Sequence, residues 1–264
     1  MKAMKKPAVV VPARLGSQRF PRKLLYSVQG EPLILWTARN LSRAVPDWPL
    51  YFAVGEEELA DVLGKAGYEV LLTDPHLPSG TDRLAAANQV IGADWVINAQ
   101  ADEPLLQERH LRQLWQLLQQ GAEMATLASR FQSLGEFRDP NKVKVVLAAG
   151  ERNEQGKDPD AGRALYFSRA PIPFFRDRAD TLPPLAFWHL GLYGYSAGLL
   201  EAFPAWPKGR LEELERLEQL RVLENGREIL VGITRHRTVG VDVMDDLPAL
   251  EQAMAATGRD EQGT

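Results

Sequence analysis

Short apolar runs alternate with amphipathic stretches through the first half of this chain, and that alternation restricts the fold more than any other feature. Ala8 to Pro12 contains Val9, Val10 and Val11, contiguous and β-branched, and predicts a buried strand. Further strands are predicted over Leu50–Val54, Glu69–Leu72, Asp94–Ala99 and Met124–Ser129. Helices are predicted between them. One covers Glu31–Val45, with Pro32 as a favourable first-turn residue. Glu56–Ala66 and Glu108–Gln120 each run into a glycine, Gly67 and Gly121, the usual left-handed stop. Asp82–Val90 completes the set. Strands alternating with helices imply a mostly parallel, doubly wound sheet of the α/β class.

The second half changes character. Val143–Ala148, Ala164–Phe167 and Leu190–Ser196 read as strands, separated by a polar loop at Glu151–Gly162 and an irregular, proline- and arginine-rich excursion at Pro171–Pro184. Leu199–Ala202 reads as a short helix. Leu211–Glu224 reads as one helix with leucines at 211, 214, 217, 220 and 223, a core or subunit-contact stripe that leaves Glu218 and Gln219 on a solvated face. Strands at Glu228–Thr234 and Val239–Asp242 and a helix at Asp245–Met254 follow. The expected organisation is one domain over residues 1–264, with an inserted antiparallel section at about 135–200.

Composition removes several function classes. Lys+Arg 31 against Asp+Glu 35 gives a net charge of −4, without the basic excess of a general nucleic-acid binder. The absence of cysteine excludes disulfides, thiolate metal sites and a cysteine nucleophile. The basic start is followed by an apolar run, Ala8–Val11, too short for a signal sequence, and no stretch of about 18 apolar residues suggests a membrane span. A cytoplasmic soluble protein is expected.

The end of the first strand enters Pro12-Ala13-Arg14-Leu15-Gly16-Ser17-Gln18-Arg19-Phe20-Pro21-Arg22-Lys23. In open α/β sheets ligands bind off the carboxyl ends of strands. Four cations there suit a polyanion such as a triphosphate, with Gly16 and Ser17 allowing close backbone approach; the alternative is a solvated basic loop. Asn98-Ala99-Gln100-Ala101-Asp102-Glu103-Pro104 also follows a predicted strand. Asp102 beside those cations would hold magnesium bridging phosphates, while Pro104 makes helix capping the favoured reading of that segment by itself. Asp242 lies at another strand end, ahead of the capping candidates Asp245 and Asp246, and is freer to reach a metal. Ser79-Gly80-Thr81-Asp82-Arg83 suits a base edge or an anion, although capping is favoured on spacing alone. Gly194-Tyr195-Ser196-Ala197-Gly198 fits the G-x-S-x-G pattern, but only His236 remains downstream to complete a triad, and a hydrolase is not expected. His76, His110 and His189 lack zinc spacing, and His110 is expected on a solvated helix face.

Together these segments resemble the CMP-Kdo synthetases, the cytidylyltransferases that act on 3-deoxy-manno-octulosonate (Kdo). The resemblance runs from about residue 8 to 250. It is carried by Pro12-Ala13-Arg14 with Ser17, Arg19, Pro21 and Lys23, by Ser79 to Arg83, and by Gln100 to Pro104. Asn141 to Val146, Leu165 to Arg169, His189 to Tyr195, Leu217 to Arg221 and Gly240 to Asp242 extend it in the same order.

The resemblance implies a Rossmann-like nucleotidyltransferase fold, a homodimer, magnesium, and CTP and Kdo as substrates. It implies that Arg14 and Lys23 bind the CTP phosphates, that Pro12, Ala13, Ser17, Ser79, Gly80, Thr81 and Gln100 contact the nucleotide, and that Asp102 and Asp242 carry magnesium. Arg83, Gln100, Arg169, His189, Tyr193, Glu218 and Gln219 would line the sugar-acid pocket. Two features depart from the family pattern. Ala101 stands where glycine usually precedes the metal aspartate, which would crowd the loop if φ were positive. Leu77-Pro78 lengthens the segment before Ser79 by one residue. The expected reaction gives CMP-Kdo and pyrophosphate for lipopolysaccharide or a related surface glycan. The alternatives are a cytidylyltransferase for another sugar acid, such as 8-amino-Kdo or a sialic acid, and a non-catalytic nucleotide-sugar binding protein.

Overall fold

The computed structural model describes residues 6–16, 19–148, 160–238, 240–241 and 243–260. In chain order the elements begin with β1 (Ala8–Ala13), β2 (Ser27–Val28), β3 (Glu31–Pro32), α1 (Leu33–Ala44), β4 (Leu50–Val54), α2 (Glu57–Lys65), β5 (Glu69–Leu72) and α3 (Gly80–Ile91). Then come β6 (Trp95–Asn98), α4 (Glu108–Gln119), β7 (Met124–Arg130), α5 (Leu134–Arg138), β8 (Lys144–Ala148), β9 (Ala161–Ser168) and β10 (Phe187–Ser196). The last are α6 (Ala197–Ala202), α7 (Arg210–Glu215), α8 (Leu220–Glu224), β11 (Ile229–Thr234) and α9 (Leu247–Asp260). They fall into two compact units, one comprising Met1–Ala93, Asn98–Arg109 and Thr238–Thr264, the other Asp94–Ile97 and His110–Arg237.

In the first unit β5, β4 and β1 lie side by side, all parallel, with Val9 opposite Leu50 and Ala13 opposite Val54. Val9, Val10 and Val11 are fully buried. A strand covered on both faces reads as an unbroken apolar run, which is why no alternation is visible there. Helix α1 buries Leu33, Ile34, Thr37, Ala38 and Leu41, one helical face. Helix α3 starts at Ser79, whose Oγ accepts the Asp82 N–H at 3.2 Å, and ends at Gly92 with φ 65°. Phe20 from the basic loop, Val28, Leu33, Val241, Leu247 and Leu250 share one buried cluster. Each such side chain contributes about 1.5–3 kcal/mol, so the basic loop and the segment around Val241 are both anchored on α1 by apolar packing.

In the second unit the strand order is β6-β10-β7-β11-β9-β8. β11 runs parallel to β7, whereas β10 is antiparallel to β7 and β8, and β9 is antiparallel to β8 and β11. Because β8 meets both β9 and β10, five strands form a closed circuit of pairings and leave few free edges. The expected antiparallel section is found in β8, β9 and β10.

Several expectations change. Leu211–Glu224 is not one helix: α7 ends at Arg216, which is left-handed with φ 55°, and α8 starts after Gln219. Glu224 reaches back to accept the N–H groups of Leu211 at 3.0 Å and Glu212 at 3.3 Å, so the second helix caps the first. The leucine stripe splits accordingly, with Leu217 and Leu220 buried and Leu214 80% exposed. Gln219 is buried rather than solvated, and so is His110, whose Nε2 lies 3.0 Å from the His236 carbonyl. Gly240 and Val241 are not in a strand, while Val239 and Asp242 lie outside the described residues, as do 151–159 of the predicted polar loop. The short β2–β3 pair and α5 were not expected.

Helix α5 carries the most strongly held carboxylate of the second unit. Glu136 accepts from Arg237 at 2.8 and 3.1 Å, from Lys142 at 2.8 Å and from the Gln132 N–H at 3.0 Å. Lys142 and Arg237 both also lie against the Trp188 ring, at 4.5 and 5.0 Å from its centroid. Hydrogen bonding from Arg237, with Lys142 and the Gln132 N–H adding to it against the opposing effect of burial, holds the Glu136 carboxyl down at about 2 from an ordinary 4.5. The folded state therefore gains stability from this group above pH 4.5 and loses it as pH falls toward 2. The linked amount is roughly 3 kcal/mol. Urea unfolding of Glu136→Gln between pH 2 and 5 is expected to show a flatter loss of stability than wild type, and parallel curves would refute this.

Candidate active site

The first unit presents a lysine and a carboxylate, Lys23 in the segment after β1 and Asp102 in the segment after β6. Arg22 is left-handed with φ 57° and its guanidinium meets Glu58 at 2.5 Å, so the loop turns sharply just before Lys23. Lys23 Nζ pairs with Asp102 Oδ2 and also donates to the Val241 carbonyl at 2.8 Å. The two side chains retain only 12% and 26% of their exposure. Asp102 is fixed from both sides of its backbone: its carbonyl accepts the Val241 N–H at 3.0 Å, and the preceding Ala101 carbonyl accepts the Thr37 hydroxyl at 2.8 Å. Ala101 is buried and does not adopt a positive φ, so its methyl is accommodated without backbone strain.

The remaining described nucleotide candidates of this unit lie at the ends of strands and at the start of α3. Pro12 and Ala13 end β1, and the Ala13 carbonyl accepts the Gly55 N–H at 3.2 Å. Arg14 is exposed, Gly80 is exposed at the start of α3, and Thr81 is buried. Ser79 is occupied as the α3 cap and donates to Asp82 at 2.6 Å. Gln100 is half-buried, and its carbonyl accepts the Glu103 N–H. Ser17 and Asp242 lie outside the described residues. Arg83, expected to touch the sugar acid, is 2% exposed and donates to the Thr73 hydroxyl. Burial lowers its guanidinium from the ordinary value, against the opposing pull of Glu56. A Cβ at Gly55 would stand 3.2 Å from one guanidinium nitrogen, so glycine there makes room for the arginine.

Glu56 carried no signal in the sequence. Its Oε1 accepts the Leu15 N–H of the basic loop at 3.0 Å, and its Oε2 is buried without a hydrogen-bond partner. Only a contact across 41 residues reveals it.

In the second unit, β10 places His189 and Tyr193 side by side, with ring centroids 5.4 Å apart and Phe167 edge-on to His189 at 4.9 Å. Burial holds the His189 imidazole down at about 3, so it is neutral at physiological pH. Burial also pushes the Tyr193 phenol well above its ordinary value, with Tyr195 and Glu218 acting in the same direction. Gln219 is 5% exposed and its Nε2 is buried without a partner among the described residues, a donor whose desolvation none of them offsets. Arg169 is anchored rather than loose: its Nε donates to the Glu215 carbonyl at 2.8 Å and its backbone N–H to the Glu215 carboxylate at 2.9 Å. Beneath it the fully buried Lys144 donates to the carbonyls of Arg169 at 2.8 Å and Asp139 at 2.7 Å. Ser196, the centre of the hydrolase-like pattern, caps α6 by accepting the Leu199 N–H at 3.2 Å.

Residues 8–229 match the family model described as Cytidylyltransferase. A protein of Syntrophobacter fumaroxidans named 3-deoxy-manno-octulosonate cytidylyltransferase is 43% identical over 251 residues, covering 93% of this chain and 96% of its own length. One of the same name from Acidobacterium capsulatum is 41% identical over 245 residues, covering 93% and 95%. A solved structure of CMP:2-keto-3-deoxy-manno-octonic acid synthetase complexed with CTP matches with a TM-score of 0.84 and 30% identity, over 96% of this chain and 100% of that one. A cytidylyltransferase structure from Leptospira borgpetersenii, 14% identical with a TM-score of 0.61 over 96% and 88%, shares the fold.

Replacing Glu56 by alanine removes the acceptor that holds Leu15 while leaving the Lys23–Asp102 pair in place. CTP affinity measured by calorimetry is expected to fall roughly five- to tenfold, the worth of one hydrogen bond. Unchanged affinity would show that the basic loop is ordered without Glu56.

Proposed function

We propose that this chain, which belongs to the cytidylyltransferase family, transfers CMP from CTP to the anomeric hydroxyl of 3-deoxy-manno-octulosonate, releasing pyrophosphate. The observation that carries the reading is the half-buried Lys23–Asp102 pair at the end of an arginine-bearing loop, within a chain about 40% identical over nearly its whole length to proteins named for this reaction.

The anomeric hydroxyl oxygen attacks the α-phosphorus of CTP in line with the bond to pyrophosphate. The new P–O bond forms as the bond to pyrophosphate breaks, and the hydroxyl proton leaves with the aqueous phase. Both substrates are anions, so the protein's work is largely positioning and charge neutralisation. Arg14 and Lys23 neutralise phosphate oxygens. Pro12, Ala13, Ser17, Ser79, Gly80 and Thr81 contact the nucleotide. In the second unit His189 and Tyr193 remain uncharged and offer hydrogen bonds without adding a field, the unpartnered Gln219 amide donates to a sugar oxygen, and Arg169 meets the sugar carboxylate.

Asp102, a partly exposed hard oxygen donor, fits magnesium, which takes one or two carboxylates and completes its shell with phosphate and water. Asp102 with Asp242 would hold it, and its charge would offset that of the triphosphate when bound. Extending the reading, the enzyme works as a cytoplasmic homodimer and supplies lipopolysaccharide or a related surface glycan; this part rests on the family resemblance.

Pyrophosphate release is expected to require CTP and Kdo together. Lys23→Ala and Asp102→Asn are each expected to lower turnover by roughly 100-fold or more with circular dichroism unchanged. Release with another sugar acid but not Kdo would overturn the acceptor assignment, and near-normal turnover of either variant would remove that residue from the mechanism.

A further inference from the structure

Thr126 lies on β7, fully buried, and its hydroxyl has two neighbours. It donates to the Leu192 carbonyl at 2.6 Å, and its oxygen stands 3.0 Å from Nε2 of His189. A threonine hydroxyl carries a single proton, and a carbonyl has none to give. The contact to Leu192 therefore uses the only hydrogen Thr126 has, and its oxygen faces His189 as an acceptor. At 3.0 Å that approach is attractive only if Nε2 bears a hydrogen. A bare Nε2 would set two lone pairs against each other in a site shielded from water, an arrangement with no compensating bond.

The backbone shows why both groups reach one hydroxyl. Opposite β7, the pairing of β10 passes from His189↔Ala128 to Tyr193↔Thr126, an advance of four residues against two. This irregularity bulges the chain between His189 and Tyr193 and turns the Leu192 carbonyl toward Thr126. It also leaves His189 and Tyr193 adjacent on the same strand.

We propose that Thr126 is a positioning residue that fixes His189 as the Nε2–H tautomer, so that Nδ1 presents a bare lone pair that accepts a hydroxyl hydrogen of the sugar acid. Nδ1 has no hydrogen-bond partner among the described residues. Because burial keeps the ring neutral, the lone pair persists across the physiological range. It discriminates as well: a lone pair attracts a hydroxyl and repels a carboxylate oxygen, so His189 orients the sugar with its carboxylate elsewhere, toward Arg169. The tautomer stands on geometry alone, whereas its use by a sugar acid rests on the function proposed above.

The test is nitrogen-15 NMR of histidine-labelled full-length protein, with the His189 signals assigned by their loss in His189→Asn. Wild type is expected to show a pyridine-like Nδ1 and a pyrrole-like Nε2 between pH 6 and 8. Thr126→Val is expected to shift His189 toward the other tautomer or a mixture, and Thr126→Ser to restore the wild-type pattern. In parallel, Thr126→Val is expected to raise KM for the sugar acid roughly tenfold, the loss of one directed hydrogen bond, with KM for CTP unchanged. A protonated Nδ1 in the wild type overturns the proposal even if no variant folds. An intact tautomer in Thr126→Val overturns the role of Thr126. Wild-type protein with the expected tautomer but no turnover of any sugar acid refutes the proposed function and leaves the Thr126–His189 assignment standing.

Discussion

The ion pair between Lys23 and Asp102 is the constraint on which the candidate site of the first unit depends. It joins segments that are 79 residues apart in the chain, and its lysine reaches a third segment through the Val241 carbonyl. Lys23 opens a single 3₁₀ turn, Lys23–Leu25, and Asp102 and Val241 lie in neither helix nor strand. The Val241 N–H also donates to the Asp102 carbonyl at 3.0 Å, and Phe20, Leu33, Val241 and Leu250 pack in one apolar cluster. The pair is too enclosed to be screened like a surface bridge, and removing either member leaves a charge facing a site that solvates it poorly. That arrangement suits a site meant to exchange partners. In the function proposed above, a triphosphate would compete for the lysine and magnesium for the aspartate, with each group held in position by the other until its ligand arrives.

The second unit uses the opposite strategy. Its candidate site side chains are braced by hydrogen bonds: Thr126 on His189, Lys144 on the Arg169 carbonyl, and Glu215 on Arg169. The Glu212–Arg221 ion pair is buried, doubly hydrogen bonded at 2.6 and 2.7 Å, and backed by the Phe203 ring 4.3 Å from the guanidinium carbon. It holds α7 and α8 across the left-handed turn at Arg216, the stretch that delivers Glu218 and Gln219. Here polar burial specifies geometry. Gln219 Nε2 is buried there without a partner among the described residues, as is the Ser129 hydroxyl.

Much of this was readable in the residues. Most strands and helices of the first half lie within two residues of their expected ends, because contiguous valines mark buried strands and Gly67 and Gly121 stop their helices at φ 87° and 96°. The readings that failed did so where a distant contact overrode local pattern. Leucine at every third position makes Leu211–Glu224 look like one helix, yet Glu224 seats against Gly209, within 1.7 Å of where a Cβ would stand, and caps α7 instead of extending it. His110 looks like a surface residue until the His236 carbonyl, 126 positions away, supplies its partner. Glu56 and Thr126 carry no motif, since their significance is a single hydrogen bond to a residue 41 or 63 positions along the chain. Pattern reports the elements and the charged loop; it does not report which side chains brace the ones that react.

The partner exchange proposed for Lys23 and Asp102 would have a signature that a merely structural salt bridge lacks. Calorimetric CTP affinity of wild type and Asp102→Asn, each measured in excess chelator and in excess magnesium, reads it directly. Without metal, Asp102 occupies the lysine and repels the triphosphate, so the asparagine variant is predicted to bind CTP more tightly than wild type. With magnesium the order is predicted to reverse, because the carboxylate then holds the ion that the phosphates share. A variant that binds more weakly than wild type in both conditions, or indistinguishably in both, would contradict the account.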